Sequence, residues 1–225
     1  MSSIEKTLHF IWWQGWSDTP ESIPADARQW VQEWEILHPS FAVRRWDEAS
    51  FYAIVVPLVE TAFPNVREVL TRLHAVVEKV DLARWLVLFA FGGVYLDCDM
   101  RCMKGVSQLY DDCFRDGTLF LAKEPGGCLN NAIICSTRPR DSAVEAVCAG
   151  LFRRILIFSD AFEWPGTLVA TGPVALSSII SSDQVWAGRF FVEEGGPLVF
   201  GAGLMGKTLH SDECPSDVIA CTFWV

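Results

Sequence analysis

Residues 81–100 read DLARWLVLFAFGGVYLDCDM, and this stretch decides the fold. Asp81 and Arg84 stand three apart on an apolar helix, so they share a face and lie side by side. Gly92-Gly93 permits a tight turn from helix to strand. Val94-Tyr95-Leu96 is a short apolar strand, and it ends in two carboxylates, Asp97 and Asp99. In open α/β sheets, ligands gather at the carboxyl ends of the strands. Residues two apart on a strand share a face, which predicts Asp97 and Asp99 on one side. Two hard oxygen donors at a sheet edge suit Mn2+ or Mg2+, and phosphates reached through the metal.

Working outward, the chain alternates strands and helices. Thr7 to Trp13 reads as a buried strand. Pro24 opens a helix to about His38, with Trp30 and Trp34 four apart at core-packing spacing, and Pro39 ends it. Phe41 to Trp46 is a second strand, and a helix covers roughly Glu48 to Ala62. A long helical region runs from Val66 to Phe91, with a break expected near Lys79-Val80. Thr118 to Ala122 and Ala132 to Cys135 are further strands, and Ser142 to Phe158 is a helix. Thr171-Gly172-Pro173 opens another helix through Ile180, and Phe190 to Glu193 is a late strand. The tail after Gly195 is rich in turn signals. Without repeats or low-complexity linkers, the pattern predicts a single α/β domain over 1–225. Its sheet is mostly parallel and flanked by helices, with the Asp-x-Asp at a strand end.

Composition narrows the function. A chain of 225 residues with 51% hydrophobic residues can bury one sizeable core. Its net charge of −10 argues against a nucleic-acid partner, which would need a basic face. The longest apolar run, Trp85 to Phe91, is too short to span a bilayer. No basic segment precedes a long apolar one at the N-terminus, so no signal peptide is expected. The eight Cys form no CxxC pair and read as free buried thiols in a reducing cytosol. His9 reads as a core histidine, and His38 and His74 as helix-surface or helix-end residues. Arg44 and Arg45 fit either a substrate contact or a solvated strand end.

An Asp-x-Asp alone is common, and an Asp/Arg pair three apart is usually a helix salt bridge. The ordered string is more specific. DLARW and LFAFGGVYLDCDM together resemble the DXD sugar-binding region of retaining glycosyltransferases of GT-A fold. That group includes fungal initiating mannosyltransferases, bacterial and viral capsular or glycan transferases and, more distantly, the large clostridial glucosylating toxins. LHFIWWQG resembles the family's first strand, HPSFAVRRWDE its second-strand segment, NNAIICS a later strand and ATGPVALS a helix start. The terminal TFWV resembles its closing Ser-x-Trp.

The resemblance implies a site. Ile11 and Trp12 would line the nucleotide, with Trp12 stacked on the base. Asp81 and Arg84 would hold the sugar hydroxyls, and Tyr95 would pack near the ribose. Asp97 would contact the ribose or sugar, and the metal through water, while Asp99 would ligate the metal directly. Asn131 would sit near the reaction centre. Trp224 would close over the diphosphate with Thr222 beside the metal, and His210 is a candidate for a further ligand. The implied reaction moves a hexose-type sugar from a UDP- or GDP-sugar to an acceptor hydroxyl on a glycan or protein, with retention and with Mn2+ or Mg2+. The expected setting is a soluble cytoplasmic protein, viral or delivered into a host.

Two other readings compete. VYLDCDM also resembles the strand-end nucleophile of haloacid-dehalogenase phosphohydrolases, but those carry Thr or Val where Arg101 stands here. A non-catalytic nucleotide-sugar binder would keep the same residues without turnover.

Overall fold

The computed structural model describes residues 6–17, 19, 22–102, 106–107, 110–111, 119–123, 129–136, 138–161, 164–182, 190–192, 199–201 and 220–222. In chain order the elements begin β1 (Thr7–Ile11), α1 (Ala25–Leu37) and β2 (Ala42–Trp46). Next, α2 comprises Glu48–Ser50, a π-helical turn Phe51–Val55 and Val56–Val59. Then come α3 (Val66–Thr71), α4 (Val76–Phe91), β3 (Gly93–Leu96), β4 (Met100–Cys102), β5 (Leu119–Lys123) and β6 (Leu129–Ser136). The chain continues with α5 (Ser142–Asp160), α6 (Thr167–Ala170), α7 (Pro173–Ser182), β7 (Phe190–Val192), β8 (Val199–Gly201) and β9 (Ala220–Thr222).

The main sheet has the order β2-β1-β3-β6-β5-β7. β1 pairs in parallel with β2 and β3, β6 runs against both β3 and β5, and β7 is parallel to β5. Five strands therefore point one way and β6 is reversed, which agrees with the mostly parallel sheet expected from the sequence. One face carries Ile11, Tyr95, Leu121 and Ile134 and packs against α2, α3, α4, α5 and α7. The other carries Leu8, Phe10, Leu96 and Ile133 and packs on α1. Both faces being covered explains why β1 is buried at all five positions.

Two local features follow from single residues. The π turn ends just before Pro57, whose ring cannot donate to the carbonyl of Ala53 and would crowd it in a regular helix. The long helical region breaks at Arg72–Ala75, not at Lys79-Val80 as the sequence suggested. The reason is Glu78, whose Oε2 accepts from the backbone N–H groups of His74 (2.9 Å) and Ala75 (3.0 Å) and so starts a new helix.

A second, three-stranded sheet of order β4-β9-β8 was not foreseen in the turn-rich tail. β9 lies antiparallel to β4, with Thr222 opposite Met100 and Cys221 opposite Arg101. The backbone of the late chain is thereby laid against the residues that follow Asp99. Among the described residues, no helix is long and apolar enough to cross a membrane. Among the described residues, Cys98, Cys102, Cys135 and Cys148 are buried and lie outside any disulfide.

Candidate active site

The site is built on the α4–β3 hairpin. Gly92 and Gly93 have φ of 68° and 97°. A Cβ on Gly93 would stand 2.6 Å from the carbonyl oxygen of Thr7, so only glycine lets α4 fold back this sharply. The turn brings the first half of α4, with Asp81 and Arg84, over the carboxyl end of β3. β3 stops at Leu96, and Asp97 adds one more ladder bond, from its N–H to the carbonyl of Ala132 (2.9 Å). Asp97 and Asp99 therefore lie in the turn between β3 and β4, rather than alternating along a strand as the spacing argument assumed.

Arg84 is the hub. It is 4% exposed, and its Nη2 pairs with Asp81 Oδ1 at 3.0 Å. Its Nη1 pairs with Asp97 Oδ1 at 3.0 Å and donates to the carbonyl of Asn131 at 2.6 Å. The guanidinium lies 4.7 Å from the ring centroid of Tyr95, whose hydroxyl donates to Asp97 Oδ1 at 2.5 Å. Asn131 Nδ2 donates to Asp81 Oδ1 (2.8 Å), and Thr171 Oγ1 donates to Asp81 Oδ2 (3.0 Å). Buried charges persist only when paired and hydrogen-bonded, and here each carboxylate shares the one guanidinium.

Burial alone would make Arg84 easier to deprotonate. Asp97, Tyr95 and Asp81 together outweigh it and hold the guanidinium more firmly charged than usual. Burial pushes the Asp81 carboxyl above its ordinary range against the pull of Arg84. Burial, then the neighbouring charge of Asp97, raise Asp99 to about 7. Among the described residues, Asp97 Oδ2 accepts no hydrogen bond, and the Asp97 side chain is 27% exposed. This is a fit for a divalent cation: two adjacent carboxylates, one with a free oxygen and one destabilised as an anion, short of positive charge. No group of three or more His, Cys, Asp or Glu placed to hold a metal ion together is found among the described residues. Mg2+ commonly takes one or two carboxylates and completes its shell with water and substrate phosphates.

The other expected residues fall into place unequally. Ile11 ends β1 and Trp12 follows it directly. Trp12 is partly buried, and its Nε1 is enclosed without a partner among the described residues. Tyr95 is 1% exposed and reaches the site through Asp97 and Arg84. Asn131 is 7% exposed beside Asp81. The backbone of Thr222 is opposite Met100, while Trp224 and His210 lie outside the described residues. His9 is a core residue: its Nε2 donates to the Gly92 carbonyl (2.9 Å), and its Nδ1 accepts from Trp46 Nε1 (3.1 Å). His38 ends α1 but is buried rather than on the surface, and it accepts from the N–H of Val106. Arg45 pairs with exposed Glu35, and Arg44 lies over Phe91.

Sequence reasoning missed two contributors. Thr171 was read only as a helix start, yet it holds the second oxygen of Asp81; the Thr-Gly-Pro string was its only signal. Trp34 was read as core, and it is fully buried, but its Nε1 also donates to the carbonyl of Met100 (2.8 Å), fixing the backbone directly after Asp99.

This fold is shared with solved glycosyltransferase domains. PaToxG glycosyltransferase aligns with a TM-score of 0.57 at 13% identity, over 81% of this chain and 71% of its own. The ligand-free glycosyltransferase domain of the YGT toxin aligns with a TM-score of 0.51 at 10% identity, over 84% and 80%. The fold is thus of the GT-A type. Residues 24–115, which include α1, α4 and the Asp97–Asp99 turn, match the model of the family described as the glycosyltransferase sugar-binding region containing DXD motif. An uncharacterized glycosyltransferase of Acanthamoeba polyphaga mimivirus is 26% identical over 67% of this chain and 57% of its own length. The initiation-specific alpha-1,6-mannosyltransferase of Schizosaccharomyces pombe is 25% identical over 41% of this chain and 24% of its own. The chain therefore spans little more than half of the viral relative.

Proposed function

We propose that residues 1–225 form one catalytic domain, a metal-dependent glycosyltransferase. It would transfer a hexose-type sugar from a UDP- or GDP-sugar to a glycan or protein hydroxyl, with retention at the anomeric carbon. The observation that carries this reading is the buried network of Asp81, Arg84, Asn131 and Thr171, which terminates in the two carboxylates of the Asp97–Asp99 turn. A network of this kind is costly to bury and is explained by a ligand that needs fixed polar partners.

Each residue then has a part. Asp99 and the open oxygen of Asp97 hold Mn2+ or Mg2+, which when bound neutralises the departing diphosphate. Arg84 and the Tyr95 hydroxyl keep Asp97 oriented. Asp81 and Asn131 form a floor for the sugar hydroxyls, where prepositioned partners act without reorganisation as charge develops. Trp12 offers a plane for the base at the end of β1, and its enclosed Nε1 has a donor to give. The family resemblance gives Thr222 and Trp224 the part of closing over the diphosphate. No described Asp or Glu other than these stands in the network, which favours acceptor attack on the same face as the leaving group over a separate protein nucleophile. The free buried thiols suit a reducing cytosol.

Donor hydrolysis with Mn2+ across a panel of UDP- and GDP-sugars tests the proposal. Release of free sugar and nucleoside diphosphate, abolished in Asp99→Ala, is the expected result. Phosphate release from simple esters, or nucleotide binding with no turnover on any donor or acceptor, would overturn it.

A further inference from the structure

A second buried carboxylate lies one turn before Asp81 on the same helix, outside the metal and donor machinery. Glu78 is 2% exposed and accepts four hydrogen bonds. Its Oε2 takes the N–H groups of His74 and Ala75, which cap α4. Its Oε1 takes Trp164 Nε1 at 2.7 Å and Thr167 Oγ1 at 3.0 Å. Trp164 and Thr167 begin the segment that ends at Thr171, and Thr171 donates to Asp81. Glu78 and Asp81, three apart on one helix face, thus grip the two ends of a single segment. Inside that segment the N–H of Ala170 bonds to the Gly166 carbonyl, and the N–H groups of Thr171 and Gly172 both bond to the Thr167 carbonyl. A shift of Thr167 is therefore passed directly to Thr171. Arg154 also donates to the Val169 carbonyl (2.8 Å), so the middle of the segment is anchored to α5 while its start depends on Glu78.

We propose that Glu78 is a positioning residue for the donor site. Through Trp164 and Thr167 it sets the segment that holds Thr171 on Asp81 Oδ2, and so leaves Asp81 Oδ1 to Arg84 and Asn131. Its role in turnover rests on the glycosyltransferase reading, while the brace itself does not. All four partners are donors, so a carboxylate satisfies them and an amide cannot. In Glu78→Gln one end of the side chain presents N–H groups to donors.

The test uses Glu78→Gln, Thr171→Val and the double variant, with two readouts. Hydrogen exchange at the amides of residues 169–172 reads the brace whether or not any donor turns over. Donor hydrolysis with Mn2+ reads its consequence. Glu78→Gln is expected to lose amide protection in 169–172. It should also lose about 10- to 100-fold in donor kcat/KM, the scale of a hydrogen bond to a charged group. The double variant is expected to be no worse than the weaker single variant, because both act through one contact on Asp81. Additive losses, or unchanged protection in 169–172, would overturn the proposal. Should Glu78→Gln fail to fold, Trp164→Phe removes one donor and keeps the ring against His74 and Phe158. It is expected to show the same two losses in smaller measure, and normal exchange in that variant would count against the brace. A wild-type protein inactive on every donor would sink the proposed function, and the exchange result alone would then decide the brace.

Discussion

Two buried polar clusters sit at opposite ends of the α4–β3 hairpin, and they have opposite characters. At the glycine turn, His9 has both ring nitrogens engaged, one by the Gly92 carbonyl and one by Trp46. Burial drives its pKa down to about 3, so it stays a neutral element of the core. At the other end, Asp81, Arg84, Asp97 and Asp99 bring three carboxylates to one guanidinium. Asp97 keeps an oxygen without a protein partner among the described residues, and Asp99 is hard to ionise. A cluster that satisfies itself serves the fold, whereas one left short of positive charge is built for something that arrives from outside. The difference lies in how completely the polar atoms are paired, not in how deeply they are buried.

Arg84 is the residue on which the second cluster depends. Arg84→Met leaves Asp81 buried without its counter-charge and should cost about 3–5 kcal/mol in urea unfolding, with loss of turnover. A loss under 1 kcal/mol would mean that the network carries little weight. Asp99→Ala should do the reverse. It should lower donor turnover by about 100- to 1,000-fold while metal-free stability holds or rises, because a raised carboxylate is removed. A large drop in stability would make Asp99 a structural residue.

The two clusters should also respond to pH with opposite sign. His9 binds a proton readily when unfolded, near 6.5, but only near 3 when folded. Its stabilising effect is present above 6.5 and lost on acidification, at about 1.4 kcal/mol per pH unit toward 3. Asp99 is held up at about 7 against 3.8 unfolded, so its contribution is full below 3.8 and lost as pH rises through 7. Saturating Mn2+ should abolish the second slope and leave the first. Urea titrations between pH 4 and 8, with and without Mn2+, check this, and identical slopes in both would remove the distinction. Smallest, Gly93→Ala should destabilise by about 1–3 kcal/mol, since it forces a side chain into left-handed φ against Thr7. Donor KM in the surviving fold should be nearly unchanged.

How much of this was legible in the chain depends on the range of the contact. Asp81, Arg84, Tyr95, Asp97 and Asp99 lie within twenty residues, and helix periodicity plus a glycine turn were enough to gather them. The direction of β1, β2 and β3 followed from strand and helix alternation. What the sequence could not show were contacts between distant segments. Thr171 meets Asp81 across ninety residues, and β9 pairs with β4 across more than a hundred. Neither leaves a local pattern. The α3–α4 break was misplaced because its cause is a side chain, Glu78, capping backward onto His74 and Ala75. The turn geometry of Asp97–Asp99 escaped the period-two argument because the strand ends one residue earlier.

In the proposed function, the Asp97–Asp99 turn takes up a cation together with a nucleotide. Thermal unfolding of the wild-type protein and Asp99→Ala, with UDP or GDP and with or without Mn2+, tests this most directly. At 100 times Kd a single ligand adds about 2.7 kcal/mol to stability. One nucleotide with Mn2+ is expected to raise the wild-type Tm, neither alone to do so to the same extent, and Asp99→Ala to lose the shift. No shift with either nucleotide in the presence of Mn2+, or an equal shift in Asp99→Ala, would contradict it.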